Sequence, residues 1–474
     1  MPANGGDVVM GITAELATFS AKVSFQSLPV PVLHRAPQLL LDLVGNIVRA
    51  RHDAESTPAL LAAVRALGLN AGTCGVFGDA ARYTPAGAAL LNGALAHSLD
   101  FDDTHAAASL HPGAPVIPAA LAAAESTGAS GADLLAGIVA GYEVVCRVAL
   151  ALPAKAHYDR GFHPTATCGA FGAAAAAGRV LQLSPEGMES AFGIALSQSA
   201  GSLQFLANGA WTKRFQVGWA AMAGLSAAML AHAGFKGAAE ALEGRHGFLR
   251  AYAPAPEPDL AVADLGNRFE LMATAVKPYP SCRYGHAGID AALALRAKHG
   301  LMPEEIEQVT LGLPQAGLLL IGEPHEQKIA PENVVDGQFS GPFVIAAALV
   351  TGEMNWNSYR LLHDPTVRSL MAKTRCVHDP EVEALFPTHM AGKLTVRARG
   401  REFSELVRVA KGEPENFLTE EELRGKFQSL AEAVLGPERT ARLADAVLAV
   451  HSLPRVSLLF GLASPLAPAQ LAGE

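Results

Sequence analysis

The sequence predicts a mainly α-helical protein that carries a smaller inserted α+β domain. From about residue 14 to 262, apolar residues recur at three- and four-residue spacing between Pro and Gly breaks, as in successive helices. Near Leu271 the pattern changes to alternation, and after Lys411 it becomes helical again. A length of 474 residues exceeds one ordinary core. We therefore expect a helical domain formed by residues 1–268 and 411–474, and an α+β domain formed by residues 269–410.

The predicted helices of the larger domain have either one apolar face or small apolar residues all round. The helix after Pro37 places four apolar side chains on one face: Leu40, Leu43, Val44 and Ile47. Residues 169–178 and 218–234 are apolar nearly all round but small. Such helices belong inside a bundle, where small residues allow close approach.

The inserted domain shows strand patterns. Residues 306–313 alternate apolar and polar side chains, and residues 393–409 predict a hairpin that turns near Gly400. A helix is expected over residues 288–298. Thr419 and Glu422 have the spacing of a capping box, which predicts a helix running toward Leu435. A last helix, 437–450, is expected to rejoin the first bundle.

Composition excludes several classes of protein. The net charge of -9 argues against a protein that binds nucleic acid backbones. The most apolar segment, residues 217–231, is too short for a bilayer, and the first ten residues lack the pattern of a secretory signal. Five widely spaced cysteines fit neither a disulfide framework nor an iron-sulfur site. We expect a cytoplasmic protein without nucleic acid or membrane partners.

The densest polar cluster runs from His97 to His105 and is followed by His111. It contains Asp100 and Thr104 and lies between apolar segments, where carboxylates and histidines are costly to bury unless they pair or act. Three readings stay open: a solvated loop with helix caps, a catalytic cluster, or a site for a hard metal ion.

Two further motifs interrupt apolar helices. Tyr142 and Arg147 lie five residues apart, and an arginine there either pairs with a buried carboxylate or binds an anion, the former being the commoner case. His163 precedes a proline at the entrance to the next helix, where a cap is the ordinary role.

Cations cluster at two more positions. Lys213 and Arg214 open an apolar helix that also carries Gln216, and they are either a surface pair or an anion site. The segment from Lys277 to His286 contains two prolines that fix the directions of its polar side chains, which favours a functional role. Its candidates are Lys277, Tyr279, Cys282 and Arg283.

Motifs for nucleotide cofactors, serine esterases and zinc proteases are absent from the sequence. The motifs that are present resemble the MmgE/PrpD family, which contains 2-methylcitrate dehydratase, cis-aconitate decarboxylase and iminodisuccinate epimerase. They occur in family order: Ala96-His-Ser-Leu-Asp-Phe-Asp-Asp-Thr, His111-Pro-Gly, Gly141-Tyr-Glu, Gly161-Phe-His-Pro-Thr, Trp211-Thr-Lys-Arg, Lys277-Pro-Tyr-Pro-Ser-Cys-Arg-Tyr, Gln338-Phe-Ser and Lys411-Gly-Glu-Pro.

The resemblance implies a helical domain, an α+β lid, a homodimer, and a site without metal or cofactor in the cleft between the domains. Matched by motif, the family's cleft residues are Asp100, Thr104, His111, His163, Lys213 and Lys277. Two positions depart from the pattern. Cis-aconitate decarboxylases of animals and fungi carry a histidine at the position of Cys282, and relatives commonly have one at Gln216. Both departures argue against decarboxylation.

The resemblance and the residue types together predict removal of a proton α to a carboxylate of a small polycarboxylate. Lys213 and Lys277, together with Arg147 or Arg283, stabilise the resulting dianion, and Asp100, His111 or His163 supplies the base. The residues expected to bind the substrate are Thr104, Tyr142, Arg147, Arg214, Gln216, Tyr279, Cys282 and Arg283. A dehydratase-type lyase is the first expectation, and an epimerase of a dicarboxylate such as iminodisuccinate is the alternative. A noncatalytic helical binding protein and a metal-dependent hydro-lyase are the remaining hypotheses.

Overall fold

A computed structural model of the protein describes residues 10–465. Helices occupy 60% of the chain and strands 9%, which confirms the predicted mainly α fold. The amino-terminal segment, on which the expectation about a signal rests, lies mostly outside the described residues. Within residues 10–465, no helix is both long and apolar enough to cross a bilayer.

The chain divides into two compact units. Within the described residues, one comprises 10–274 and 430–465, and the other comprises Ala275–Ser429. The helix Glu420–Leu435 contains the second boundary, and the two-residue strand Thr274–Ala275 contains the first.

The first unit is a helical bundle. Its α-helices are Ile12–Lys22, Val30–Asp53, Thr57–Ala66, Pro85–Ala96, Gly113–Thr127, Gly131–Leu150, Ala154–Asp159, Pro164–Thr167, Gly169–Val180, Pro185–Leu196, Thr212–His232, Phe248–Tyr252, Pro437–Leu448 and Ser457–Leu462. Short strands accompany them at Cys74–Gly75, Arg82–Tyr83 and Thr104–His105.

Small residues allow the central helices of this unit to approach closely. A Cβ on Gly172 would lie 2.6 Å from the Val145 Cβ and 2.9 Å from the Gly141 oxygen. A Cβ on Gly141 would in turn lie 2.8 Å from the Gly172 oxygen. The close packing predicted from the Ala- and Gly-rich segments is therefore confirmed at this crossing.

The second unit is built on a four-stranded mixed sheet. In spatial order its strands are Thr374–His378, Ile306–Leu313, Gly392–Ala398 and Arg401–Val407; the first pair is parallel and the others are antiparallel. Helices accompany it at His286–His299, Gln315–Gly317, His325–Lys328, Val334–Gln338, Gly341–Thr351, Pro365–Ala372 and Pro380–Glu383. One apolar core joins the sheet to the helices His286–His299 and Gly341–Thr351.

The local predictions for this unit are confirmed. Residues 306–313 form a strand, and the hairpin turns through Gly400, whose positive φ of 66° suits a residue without a Cβ. The capping box is present, since the Thr419 hydroxyl accepts from the Glu422 amide while the Glu422 carboxylate accepts from the Thr419 amide. The last predicted helix, which belongs to the first unit, is slightly shorter than expected, at Pro437–Leu448.

Candidate active site

The loop between the helices Pro85–Ala96 and Gly113–Thr127 brings the polar cluster into the interior of the first unit. His97 ends the first helix, and its side chain is fully buried. Asp102 is also completely buried. Asp100 adopts a positive φ of 52°, which turns the chain between these two residues. The cluster is therefore an interior polar site and not a solvated loop.

One carboxylate oxygen serves two imidazoles. Asp102 Oδ2 lies 2.7 Å from His97 Nδ1 and 3.4 Å from His111 Nδ1. Burial raises the pKa of Asp102, but His97 and His111 outweigh it and hold that pKa well below its usual range. Because an ionised carboxylate only accepts hydrogen bonds, the His97 proton lies on Nδ1. The Nδ1 of His111 faces the same acceptor, which directs its Nε2 away from Asp102.

Burial makes His97 a neutral imidazole at neutral pH. Desolvation lowers its pKa to about 4, with Asp102 opposing and Lys213 adding to the shift. Its Nε2 is buried and has no hydrogen-bond partner among the described residues. The His111 side chain is 17% exposed, so of the two histidines that face Asp102 it is the one that a ligand can reach.

His163 stacks against His97, with ring centroids 5.8 Å apart. Gln216 Nε2 lies 2.8 Å from His163 Nδ1, and Gln216 Oε1 accepts from the Ser202 amide at 2.9 Å. The Ser202 contact fixes the orientation of the Gln216 amide, so its NH₂ donates to Nδ1 and the His163 proton lies on Nε2. Burial, reinforced by His97, lowers the pKa of His163 well below its ordinary value. His163 is therefore a neutral hydrogen-bond donor.

A cation completes this region. Lys213, in the first turn of the helix Thr212–His232, donates from Nζ to Asp100 Oδ1 at 2.9 Å. Desolvation lowers the pKa of Lys213, but the charge and hydrogen bond of Asp100, joined by Asp102, raise it overall. The two side chains are 30% and 21% exposed, so a charged pair lies at the edge of the buried histidines.

Other predicted residues of this unit lie deeper. Thr104 is buried, and its Oγ1 has no hydrogen-bond partner among residues 10–465. Arg147 is fully buried and donates to Glu143 and to two backbone carbonyls. This pairing with a buried carboxylate is the commoner of the two roles expected for this arginine, and it corrects the expectation that Arg147 binds the substrate, because its donors are already used inside the protein. Tyr142 is fully buried too and donates to Asp103 at 2.6 Å. Arg214 lies 3.4 Å from the Ser56 hydroxyl.

Four predicted residues belong to the second unit. Lys277 is 5% exposed, and Cys282 is partly exposed. Tyr279 donates to Asp290 at 2.5 Å, and Arg283 forms an ion pair with Glu413.

Sequence reasoning assigned no role to three residues that the structure brings into the site or beside it: His97, Asp102 and Asp103. They were visible as members of the dense polar cluster, yet the motif pointed to Asp100 and Thr104. The remaining histidine of the cluster, His105, lies 3.1 Å from Glu270 through Nε2 and accepts from the Ala108 amide through Nδ1, so both of its nitrogens are satisfied.

His97, Asp102 and His111 also have the residue types of a metal site, with one ligand atom of each within 4.8 Å of the others. The geometry favours hydrogen bonding instead. A separation of 2.7 Å between His97 Nδ1 and Asp102 Oδ2 is that of a charge-assisted hydrogen bond. Two ligands held about 2 Å from one tetrahedral zinc ion would lie roughly 3.3 Å apart. In this arrangement His97 Nδ1 and Asp102 Oδ2 are therefore hydrogen-bonded to each other and do not bind one metal ion.

Comparison with known proteins identifies relatives over almost the whole chain. The MmgE/PrpD N-terminal domain matches residues 14–261, and the MmgE/PrpD C-terminal domain matches residues 279–451. The chain is 31% identical to a cis-aconitate decarboxylase-like protein, oryM, of Aspergillus oryzae, an alignment covering 96% of this chain and 97% of the relative. Cis-aconitate decarboxylase of Aspergillus terreus is 28% identical, with 95% and 96% covered. The mouse (Mus musculus) cis-aconitate decarboxylase is 30% identical, with 80% and 78% covered.

Proposed function

The chain belongs to the MmgE/PrpD family, and from that membership we propose that it is a cofactor-free lyase acting on a small di- or tricarboxylate. Its reaction begins with removal of a proton α to a carboxylate and ends with loss of a hydroxyl group as water. The observation that carries this proposal is the Asp102 oxygen shared by His97 and His111.

His111 is the base in this proposal. Asp102 faces its Nδ1, so Nε2 is the free basic nitrogen, and the ionised carboxylate stabilises the imidazolium that forms. The α-carbon proton moves to Nε2, and its electron pair forms the carbon–carbon double bond. The carbon–oxygen bond then breaks, and the proton on His111 goes to the departing oxygen to form water.

Lys213 and His163 stabilise the charge that develops on the substrate carboxylate. The ammonium group of Lys213 neutralises part of the dianion formed when the α-proton leaves. His163, held neutral and with its proton on Nε2, donates a hydrogen bond without delivering a full proton. We propose that Lys277 of the second unit supplies a further cation, as the family motif implies.

Decarboxylation is the second candidate, because the relatives carry the name cis-aconitate decarboxylase. Cys282 and Gln216 argue against it at the two positions where a histidine was expected. Epimerisation requires a second acid on the opposite face of the carbanion, and it stays the alternative outcome.

Product analysis separates these reactions. Purified protein is incubated with citrate, 2-methylcitrate, cis-aconitate and iminodisuccinate, and the products are followed by proton NMR with a parallel assay for carbon dioxide. A new vinyl signal with loss of an α-proton supports the lyase. Release of carbon dioxide would show decarboxylation instead of dehydration. A changed ratio of stereoisomers would show epimerisation.

The homodimer expected from the family is part of the same proposal. The helix Thr212–His232 exposes Phe215, Trp219 and Leu230, and Trp211 directly precedes it. Contiguous exposed apolar side chains mark interaction surfaces. We propose that a second copy of the chain covers this face. Light scattering should give twice the chain mass for the wild type and the monomer mass for Trp219→Glu; a monomeric wild type would remove the proposal.

A further inference from the structure

Asp103, the neighbour of Asp102, is buried beside Tyr142 and belongs to no catalytic contact described above. Asp103 Oδ2 accepts from the Tyr142 hydroxyl at 2.6 Å, and Oδ1 accepts from the Gly113 amide at 3.0 Å. Both side chains have at most 1% of their surface exposed. Neither can therefore touch a substrate, although Tyr142 was predicted to bind one.

Gly113 is the first residue of the 15-residue helix Gly113–Thr127, so Asp103 binds one of the helix amides that have no partner within the helix. A Cβ on Gly113 would lie 2.6 Å from the Tyr142 hydroxyl and 2.9 Å from both Asp103 oxygens. The glycine is thus required by the carboxyl–phenol pair packed against it.

Two adjacent carboxyl groups consequently hold the two ends of one short turn. Asp102 faces the His111 ring at 3.4 Å, and Asp103 binds Gly113 two residues later. Pro112 stands between them and restricts the backbone. The His111 amide donates to Thr165 Oγ1 at 3.2 Å, which holds the turn from a third direction.

We propose that Asp103, supported by Tyr142, is a positioning residue that sets the His111 imidazole by fixing the Gly113 amide. This inference rests on the proposed role of His111 as the base. The required property is a hydrogen-bond acceptor at Oδ1, so an asparagine, which keeps a carbonyl oxygen, should replace Asp103 and an alanine should not.

Kinetics of three variants test the proposal. Asp103→Ala should lower kcat about 100-fold with little change in KM, because small displacements of a catalytic group cost about that much. Asp103→Asn should restore most of kcat. Tyr142→Phe, which keeps the ring volume, should lower kcat in the same direction by a smaller factor. Asp133→Asn is the matched control, since Asp133 is a first-turn carboxylate of the helix that carries Tyr142.

A second measurement does not depend on turnover. Diethyl pyrocarbonate modifies accessible imidazoles, and peptide mass spectrometry gives the rate at His111 in each variant. That rate should change several-fold in Asp103→Ala and Tyr142→Phe and stay at the wild-type value in Asp103→Asn and Asp133→Asn. If Asp103→Ala fails to fold, Tyr142→Phe and Asp103→Asn carry the test.

The two readouts distinguish the possible failures. A wild type without turnover on any carboxylate would remove the proposed function, while the His111 modification rates would still decide the positioning role. Wild-type kcat and modification rate in Asp103→Ala, or in Tyr142→Phe if the alanine variant does not fold, would overturn the inference. So would an Asp103→Asn variant as impaired as Asp103→Ala, because the acceptor oxygen would then not matter.

Discussion

Asp102 Oδ2 lies 2.7 Å from His97 Nδ1 and 3.4 Å from His111 Nδ1, so one buried oxygen orients a fully buried histidine and a partly exposed one. The proton position on His97 follows from this acceptor, and the Nδ1 of His111 faces the same oxygen. The Nε2 of His111, which points away from Asp102, is the proposed base.

Replacing Asp102 should abolish most activity. An asparagine keeps the shape but presents an amide that can donate to the Nδ1 of His111. The ring proton then lies on Nε2, which can no longer accept the substrate proton. We expect kcat to fall roughly 100- to 10,000-fold, the range of general acid-base catalysis. Steady-state kinetics of Asp102→Asn give the value. Asp159→Asn, in an exposed ion pair with Lys155, is the control and should keep wild-type rates.

Gln216 should control the proton of His163. Gln216→Glu places an acceptor opposite Nδ1, so the proton moves from Nε2 to Nδ1 and the hydrogen bond to the substrate is lost. We expect kcat to fall by about 10-fold or more. Nitrogen NMR of labelled histidine reports the tautomer directly. Gln204→Glu, at an exposed position, should change neither the tautomer nor the rate; an unchanged tautomer in Gln216→Glu would contradict the assignment.

The neutral state of His97 should make folding sensitive to mild acid. Its pKa is about 4 in the folded protein, below the ordinary value of 6.5, so the unfolded chain binds more protons between those pH values. The contribution of His97 to the free energy of unfolding is therefore fully present above pH 6.5. It falls by about 3 kcal/mol in total as the pH drops toward 4. His163, with its lowered pKa, adds in the same direction. The thermal midpoint measured between pH 7.5 and 4.5 should fall less steeply in His97→Gln than in the wild type. Equal slopes would show that His97 is not the group involved.

Lys213 should matter for binding and for the chemical step. Lys213→Met removes the cation beside the histidines and the ion pair with Asp100, whose negative charge then repels an anionic substrate more strongly. We expect kcat/KM to fall by about 100-fold or more, with both constants affected. Lys236→Met, at an exposed position beyond the carboxyl end of the same helix, is the control. An unchanged KM in Lys213→Met would place the substrate carboxylate elsewhere.

Chelation should leave the enzyme active. The hydrogen-bond distance between His97 and Asp102 argues against a shared metal ion. Exhaustive treatment with EDTA, followed by kinetics in chelated buffer, should give the wild-type rate. A loss that returns on adding a divalent cation would instead support the metal-dependent hydro-lyase.

Much of the fold could be predicted because its signals are local. The strand at residues 306–313 follows from alternation, the turn at Gly400 from one glycine, and the helix toward Leu435 from a capping box. The Arg147–Glu143 pair is local too, since four residues along a helix bring side chains together.

The partners within the site could not be predicted in the same way. The sequence marks a dense polar cluster, but which carboxylate faces the histidines depends on an irregular loop with a positive φ at Asp100. The contacts of Tyr142 with Asp103 and of Gln216 with His163 join residues 39 and 53 positions apart. Such contacts depend on how the helices pack against one another, and local sequence patterns do not identify which distant residues will meet.

Deuterium uptake by the substrate reports whether His111 removes the α-proton. Wild type, His111→Gln and the control His232→Gln, which alters an exposed histidine, are incubated with the carboxylate panel in deuterium oxide and followed by proton NMR. We expect loss of an α-proton signal with the wild type and the control, and no loss with His111→Gln. Undiminished exchange in His111→Gln would contradict the proposed base.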